Sequence, residues 1–240
     1  MLVKTRAIVL RVTKYGDAQQ IVDMITFSHG RLSFVLTLSR SSRAKVKRQF
    51  FQPLTILELE FDLRPKMQLQ RLKDAAIAIP FSSIPFSPLK LCLSAFLAEF
   101  ICSSTRNEVK NEHLFQFLMY SVLWLDKAEG NYANFHIVFM LQLTLFLGFS
   151  PNMDELDGKF FDMQAGNFVS QVPTHSIFLS ESDSRMMRVL MRLTYDTMHV
   201  FCMTRGDRNR CVQYIIRYYQ LHLPNFPELK SLDVLRDLFD

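Results

Sequence analysis

Three prolines within ten residues, IPFSSIPFSP at 79–88, constrain this chain more than any other feature. Proline has no backbone N–H and restricts the residue before it, so neither a helix nor a central strand runs through that segment. The patterns on its two sides differ. Before it, apolar residues alternate with polar ones at a period of two. After it, they recur at three- and four-residue intervals. A switch of period across such a barrier predicts two different kinds of folding unit in one chain.

Upstream, runs at 3–12, 20–26, 31–38, 54–61 and 67–73 read as five strands, broken at Gly16-Asp17, His29-Gly30 and Arg64-Pro65. Leu57, Leu59 and Phe61 alternate with Glu58 and Glu60, the signature of a strand with one wet face. Five short strands at close intervals point to a small closed barrel, because closure removes exposed edges. Downstream, helices are expected at 89–102, 112–127 and 134–147, the last stopped by Gly148 with Pro151 beyond it. A hairpin follows at 160–171 around Ala165-Gly166-Asn167. Ser180 and Asp183 form a capping box for a helix over 181–203, with Thr194 as a candidate break. Thr204 opens a helix to 222, and a last short one spans 228–239. The reading is α+β: a five-stranded barrel domain at 1–79, a linker at 80–88 and a helical domain at 89–240 with a small hairpin insertion.

Charge is distributed unevenly over these parts. Residues 1–79 carry 14 Lys and Arg against 6 Asp and Glu, whereas residues 80–240 carry 14 against 17. The excess predicts a polyanionic partner for the first third. Between Asp23 and Glu58 there is no acid at all, but Arg31, Arg40, Arg43, Lys45, Lys47 and Arg48 all fall there. The stretch SRSSRAKVKR joins three serines to five cations. Cations neutralise phosphates and release counterions, and serine hydroxyls bond phosphate oxygens without reading bases. In a barrel loop this set makes a DNA-binding groove without sequence preference, and Tyr15, Phe34, Phe50 and Phe51 are candidates to stack bases.

A second cationic set lies in the helical part. Arg185, Arg188 and Arg192 fall at i, i+3 and i+7, on one side of a helix, beside Met187, Leu190 and Met191. Such a face suits an acidic peptide. The alternative is local pairing with Asp183, Asp196 and Asp207. No glycine-rich phosphate loop, GxSxG or HExxH motif occurs, and the six histidines have no ligand spacing, so catalysis is not expected. Cys92, Cys102, Cys202 and Cys211 form no CxxC pair, and reduced thiols of a cytoplasmic protein are expected. The opening MLVKTRAIVLRV has charges inside its apolar run and does not read as a signal peptide. The apolar stretch 135–149 is shorter than the roughly 18 residues of a membrane span.

The run KTRAIVLRVTKYGDAQQIVDMITFSHGRLSFV resembles the start of the RecO family, bacterial recombination mediators. FFQPLTILELEF, LGFSP and YYQLHLPNFPELKSLDVL are similar to later segments of that family in the same order, so the resemblance covers nearly the whole chain. It implies an N-terminal OB barrel followed by a helical domain. It also implies binding to single- and double-stranded DNA, annealing of complementary strands, and help, with RecR, in loading RecA onto single strands coated by the single-strand-binding protein SSB. The acidic SSB tail, ending in Pro-Phe and a free carboxylate, would then meet Arg185, Arg188 and Arg192. A cytoplasmic, nucleoid-associated location follows. Many relatives carry a four-cysteine zinc site after LGFSP. Residues 149–178 here hold no cysteine and one histidine, His175, so no metal or other cofactor is expected. Three rivals stand beside this reading: a single-strand-binding module with no part in recombinase loading, a helical adaptor whose barrel meets acidic protein, and, more distantly, a nucleotide-processing enzyme.

Overall fold

The computed structural model describes residues 1–16, 19–37, 47–106, 108–154 and 157–236. They form two compact units, Met1–Lys127 with Leu229–Leu235, and Ala128–Glu228 with Arg236.

The first unit holds the barrel. Strands β1 (Leu2–Tyr15), β2 (Gln19–Thr26), β3 (Gly30–Thr37), β4 (Ile56–Asp62) and β5 (Leu69–Ile79) close in the order β1-β2-β3-β5-β4. The order is that of an OB fold. β1 is long enough to serve two neighbours. Its residues 2–8 pair with β4 and residues 7–15 with β2, with a bulge between Val9 and Arg11. A bulge re-aims the side chains beyond it. The inward alternation of the five strands buries Val3, Ala7, Val9, Val22, Met24, Phe34, Leu57, Leu59 and Phe61 in one core. Phe34 meets Phe61 edge to face, ring centroids 5.0 Å apart. The wet face expected of β4 is there: Glu58 and Glu60 point outward and pair with Arg6 at 3.5 Å and Lys4 at 3.1 Å. At the β2–β3 turn, Gly30 has φ +66°, and a Cβ would stand 2.5 Å from the Val109 backbone. Only glycine fits there.

Helices α1 (Pro88–Ser104) and α2 (Glu112–Lys127) belong to this unit. Ser87 caps α1 by accepting from the Lys90 N–H, and Phe115 of α2 packs edge-on to Phe27 at 5.6 Å. The proline segment between barrel and α1 is tied down. The Asp126 carboxylate accepts from the backbone N–H groups of Ser82, Ser83 and Ile84 at 2.8, 2.9 and 2.9 Å. The units therefore divide after Lys127, beyond the proline segment.

The second unit is built on α3 (Phe135–Leu147), whose residues from Phe135 to Leu141 are all buried. That explains the apolar run at 135–149: it is a core helix, ended by Gly148 at φ +81°. Among the described residues no helix is long and apolar enough to cross a membrane. The predicted hairpin forms as β6 (Phe160–Asp162) and β7 (Asn167–Val169), and a third strand absent from the sequence reading, β8 (Phe178–Leu179), pairs with the other side of β6. The helix expected over 181–203 is shorter. It runs as α4 (Glu181–Leu190) and gives way to turns in which the Thr197 hydroxyl accepts from the Thr194 N–H. Threonine hydroxyls compete with the helical ladder in this way. α5 (Arg205–His222) follows, and the last helix, α6 (Leu232–Arg236), is shorter than the 228–239 expected, though residues 237–240 lie outside the described set.

Candidate nucleic-acid interface

The barrel's charges separate into a paired set and an unpaired set. Lys4, Arg6 and Lys73 are matched by Glu60, Glu58 and Asp62. Buried Asp23 on β2 takes Arg11 at 2.7 Å and lies 3.6 Å from Arg31. Lys14, Lys47 and Arg48 make no ion pair among the described residues, and all three are exposed. The barrel acids thus neutralise Lys4, Arg6 and Lys73 and leave the end of β1 and the Arg48–Phe50 turn positive, together with exposed Arg64, Lys66 and Arg71 elsewhere on the barrel.

The six predicted DNA contacts have different fates. Arg40, Arg43 and Lys45 lie outside the described residues. Lys47 and Arg48 sit at the start of a short 3-10 turn, Arg48–Phe50, facing solvent. Arg31 does not join them. Its side chain is 12% exposed, donates to the Cys102 carbonyl of α1 and reaches the Cys102 sulfur at 3.1 Å. It fastens β3 to α1, and its charge is met by Asp23. The sequence could not separate Arg31 from Arg48, since both are arginines in one acid-free stretch. Among the aromatics, Phe34 is fully buried in the barrel core and Phe51 nearly so, whereas Tyr15 is half exposed at the end of β1.

The Arg48 side of this region holds a cleft of about 460 Å³, lined by Val9–Val12, Lys14, Gln20, Arg48 and Phe51–Pro53. Arg11, Lys14 and Gln20 were not expected as interface residues. The signal was the β1 bulge, where the alternation breaks at Leu10-Arg11-Val12.

The arginines of the helical unit are engaged locally. Arg185 pairs with Glu181 at 3.3 Å. Arg188 donates to the Gly158 carbonyl and lies 4.6 Å over the Phe168 ring. Arg192 falls beyond α4 and is exposed. Met187 and Leu190 are buried, and the space beside them among Leu141, Phe161 and Tyr218 is about 10 Å³. The expected slot for an aromatic ring is therefore filled by the unit's own core.

Where relatives are expected to hold zinc, a carboxylate does the fastening. Asp162 Oδ1 accepts from the Gln164 and Ala165 N–H groups at 2.9 and 3.0 Å. Its Oδ2 lies 3.1 Å from His175 Nε2, and His175 Nδ1 accepts from the Ile177 N–H at 3.1 Å. With Nδ1 as acceptor, the neutral ring carries its proton on Nε2 and donates it to Asp162. One carboxylate and one imidazole do not make the four ligands of a structural zinc site. Among the described residues no group of three or more His, Cys, Asp or Glu can hold a metal.

Comparison with known proteins matches this architecture. The family model described as recombination protein O N terminal covers residues 1–81, and that described as recombination protein O C terminal covers residues 86–233. A protein named DNA repair protein RecO from Bacteroides fragilis strain YCH46 is 48% identical over 242 residues, covering 100% of both chains. Proteins of the same name from Phocaeicola vulgatus and Flavobacterium psychrophilum are 45% and 36% identical, again over 100% of each chain.

Proposed function

The chain belongs to the RecO family of DNA repair proteins, and from that premise we propose that it is a non-catalytic mediator of recombination. It binds single- and double-stranded DNA through the barrel, anneals complementary strands and, with RecR, helps load RecA onto strands coated by SSB. The observation that carries the DNA-binding part is the cluster of Lys14, Lys47 and Arg48, which have no ion-pair partner among the described residues, while Lys4, Arg6 and Lys73 of the same barrel are matched by acids. Phosphates would supply the missing counter-charge.

The experiment is annealing of two complementary oligonucleotides, naked or coated with SSB, with and without this protein. Faster annealing is expected in both arms, and deleting the acidic SSB tail is expected to remove the gain in the coated arm alone. No acceleration of naked strands would reject the mediator reading and favour the adaptor. Acceleration that ignores the tail would reject SSB as a partner.

We propose as well that the chain holds no structural zinc. Purified protein is expected to contain no stoichiometric zinc, and a chelator to leave its melting temperature unchanged, because Asp162 and His175 together offer fewer than the four ligands of a structural site. One zinc per chain on metal analysis would refute this.

A further inference from the structure

The cleft beside Arg48 contains a buried polar group that the described residues leave unsatisfied. Gln20 of β2 lies opposite Lys14 of β1 and Leu36 of β3. Directly paired residues share a face of the sheet, so Gln20 points to the same side as the core residue Leu36. Gln20 is 8% exposed, and its side-chain Oε1 has no hydrogen-bond partner among the described residues. A buried carboxamide oxygen without a donor is costly, and native interiors rarely keep one unless something else completes it.

The surroundings identify that something. Val12, Pro53 and the edge of Phe51 give the cleft an apolar lining, and Lys14 and Arg48 bring cations without an ion pair among the described residues to it. A free phosphate or an acidic side chain would suit the cations and could accept from the Gln20 amide N–H, but it brings no donor for Oε1. An apolar side chain would suit Phe51 and leave Oε1 as it is. A nucleobase answers all three: it has a flat π face, N–H donors on its edge, and phosphates on either side of its sugar. The volume, about 460 Å³, lies in the range of small-ligand sites.

We propose that this cleft is a base pocket, which takes one unstacked nucleobase of a DNA single strand. The base donates an N–H to Gln20 Oε1 and packs on Val12 and Pro53 at the Phe51 edge, while Lys14 and Arg48 meet the adjoining phosphates. Every base has an edge N–H donor or exocyclic amine, so the pocket accepts all four without reading sequence. This rests on the DNA-binding reading above and names where in the barrel the strand is gripped.

The test uses the full chain, Gln20→Met and Arg48→Ala, each titrated with a single-stranded oligonucleotide and with the same oligonucleotide made abasic throughout. Methionine keeps the length of glutamine and replaces its carbonyl oxygen with a sulfur that accepts only weakly. Gln20→Met is expected to bind the base-bearing strand about three- to tenfold more weakly, to bind the abasic strand as wild type does, and to keep the wild-type salt slope. Arg48→Ala is expected to weaken both strands by the same factor and lower the slope by about one unit. The melting temperature of Gln20→Met is expected to be no lower than that of wild type, because the variant removes an unsatisfied buried atom. A fall of more than about 5 °C would make Gln20 a structural residue and overturn the proposal. So would an equal loss on both strands, or no loss on either. If the wild-type chain binds neither strand, the DNA-binding reading itself fails, a result distinct from binding without base dependence.

Discussion

Replacing Arg43, Lys45 and Lys47 together with alanine is expected to lower the slope of log K against log salt for DNA binding by about two to three units. Each phosphate contact contributes about 0.9 to that slope on duplex DNA and about 0.7 on a single strand. Three contacts on duplex therefore account for on the order of 10²–10³ in affinity at 0.1 M salt, relative to a 1 M reference. The loss should be similar for unrelated sequences, since phosphates carry no sequence information. Lys47 is exposed and without an ion pair among the described residues, so its removal should leave folding stability within about 0.5 kcal/mol. Arg31→Ala is the contrasting control. It removes the bonds to Cys102 and the charge beside Asp23, so stability should fall while the slope stays. A triple variant that is folded and keeps the wild-type slope would take the DNA contact away from this loop.

Asp126→Ala is expected to cost about 3–5 kcal/mol of stability, the largest effect of any single substitution considered for this chain. Three backbone N–H groups and the Ser82 hydroxyl lose their acceptor at once. Lys90 is buried nearby, with its Nζ bonded to the Asp126 carbonyl at 3.0 Å and to Ser83 Oγ, and would lose the neighbouring negative charge. An acid in the last turn of a helix is disfavoured by the helix dipole, so its position near the end of α2 is explained by what it binds. Asp126→Asn keeps one side-chain acceptor and should lose less. The variants are compared by urea denaturation midpoints at constant m.

Acid should narrow the difference between wild type and Asp126→Ala. Burial on its own would raise the Asp126 pKa, but the N–H groups of Ser82, Ile84 and Ser83 hold it below the ordinary 3.8. A depressed carboxylate contributes stability that is fully present above the unfolded value and is lost as pH falls through the folded one. The gap should therefore be complete at neutral pH and shrink below about pH 4. A loss under 1 kcal/mol at pH 7 would mean that the proline segment finds other acceptors and is not held by α2.

The parts of this fold that depend on local pattern were legible from the residues. Alternation of period two gave all five barrel strands within a few residues except for the end of β5, which runs on to Ile79. Helical spacing gave α1, α2, α3 and α5, Gly148 marked the end of α3, and Ala165-Gly166-Asn167 marked the β6–β7 turn. The missing parts depend on pairing over distance. β8 has two residues, too few to carry a period, and exists because β6 has a free edge for it. Thr194 was visible as a weak point, but only the packed unit decides that α4 stops at Leu190.

The candidate interface divides in the same way. By itself, the sequence determined that the first third is basic, that the 24–57 stretch has no acid, and that residues 149–178 lack the cysteines for a zinc site, because composition is additive along a chain. Tertiary structure decided which cations remain available. Arg31 and Arg48 are chemically alike, but the strand register sets Arg31 against Asp23 and Cys102 and leaves Arg48 on a cleft. It also brought Asp126 to Ser82 across 44 residues of chain, and put Gln20 on the cleft with its oxygen unpaired among the described residues. Whether a charge or an amide finds a partner depends on which residues fold against it, and that is a property of the closed barrel, which no local window of sequence contains.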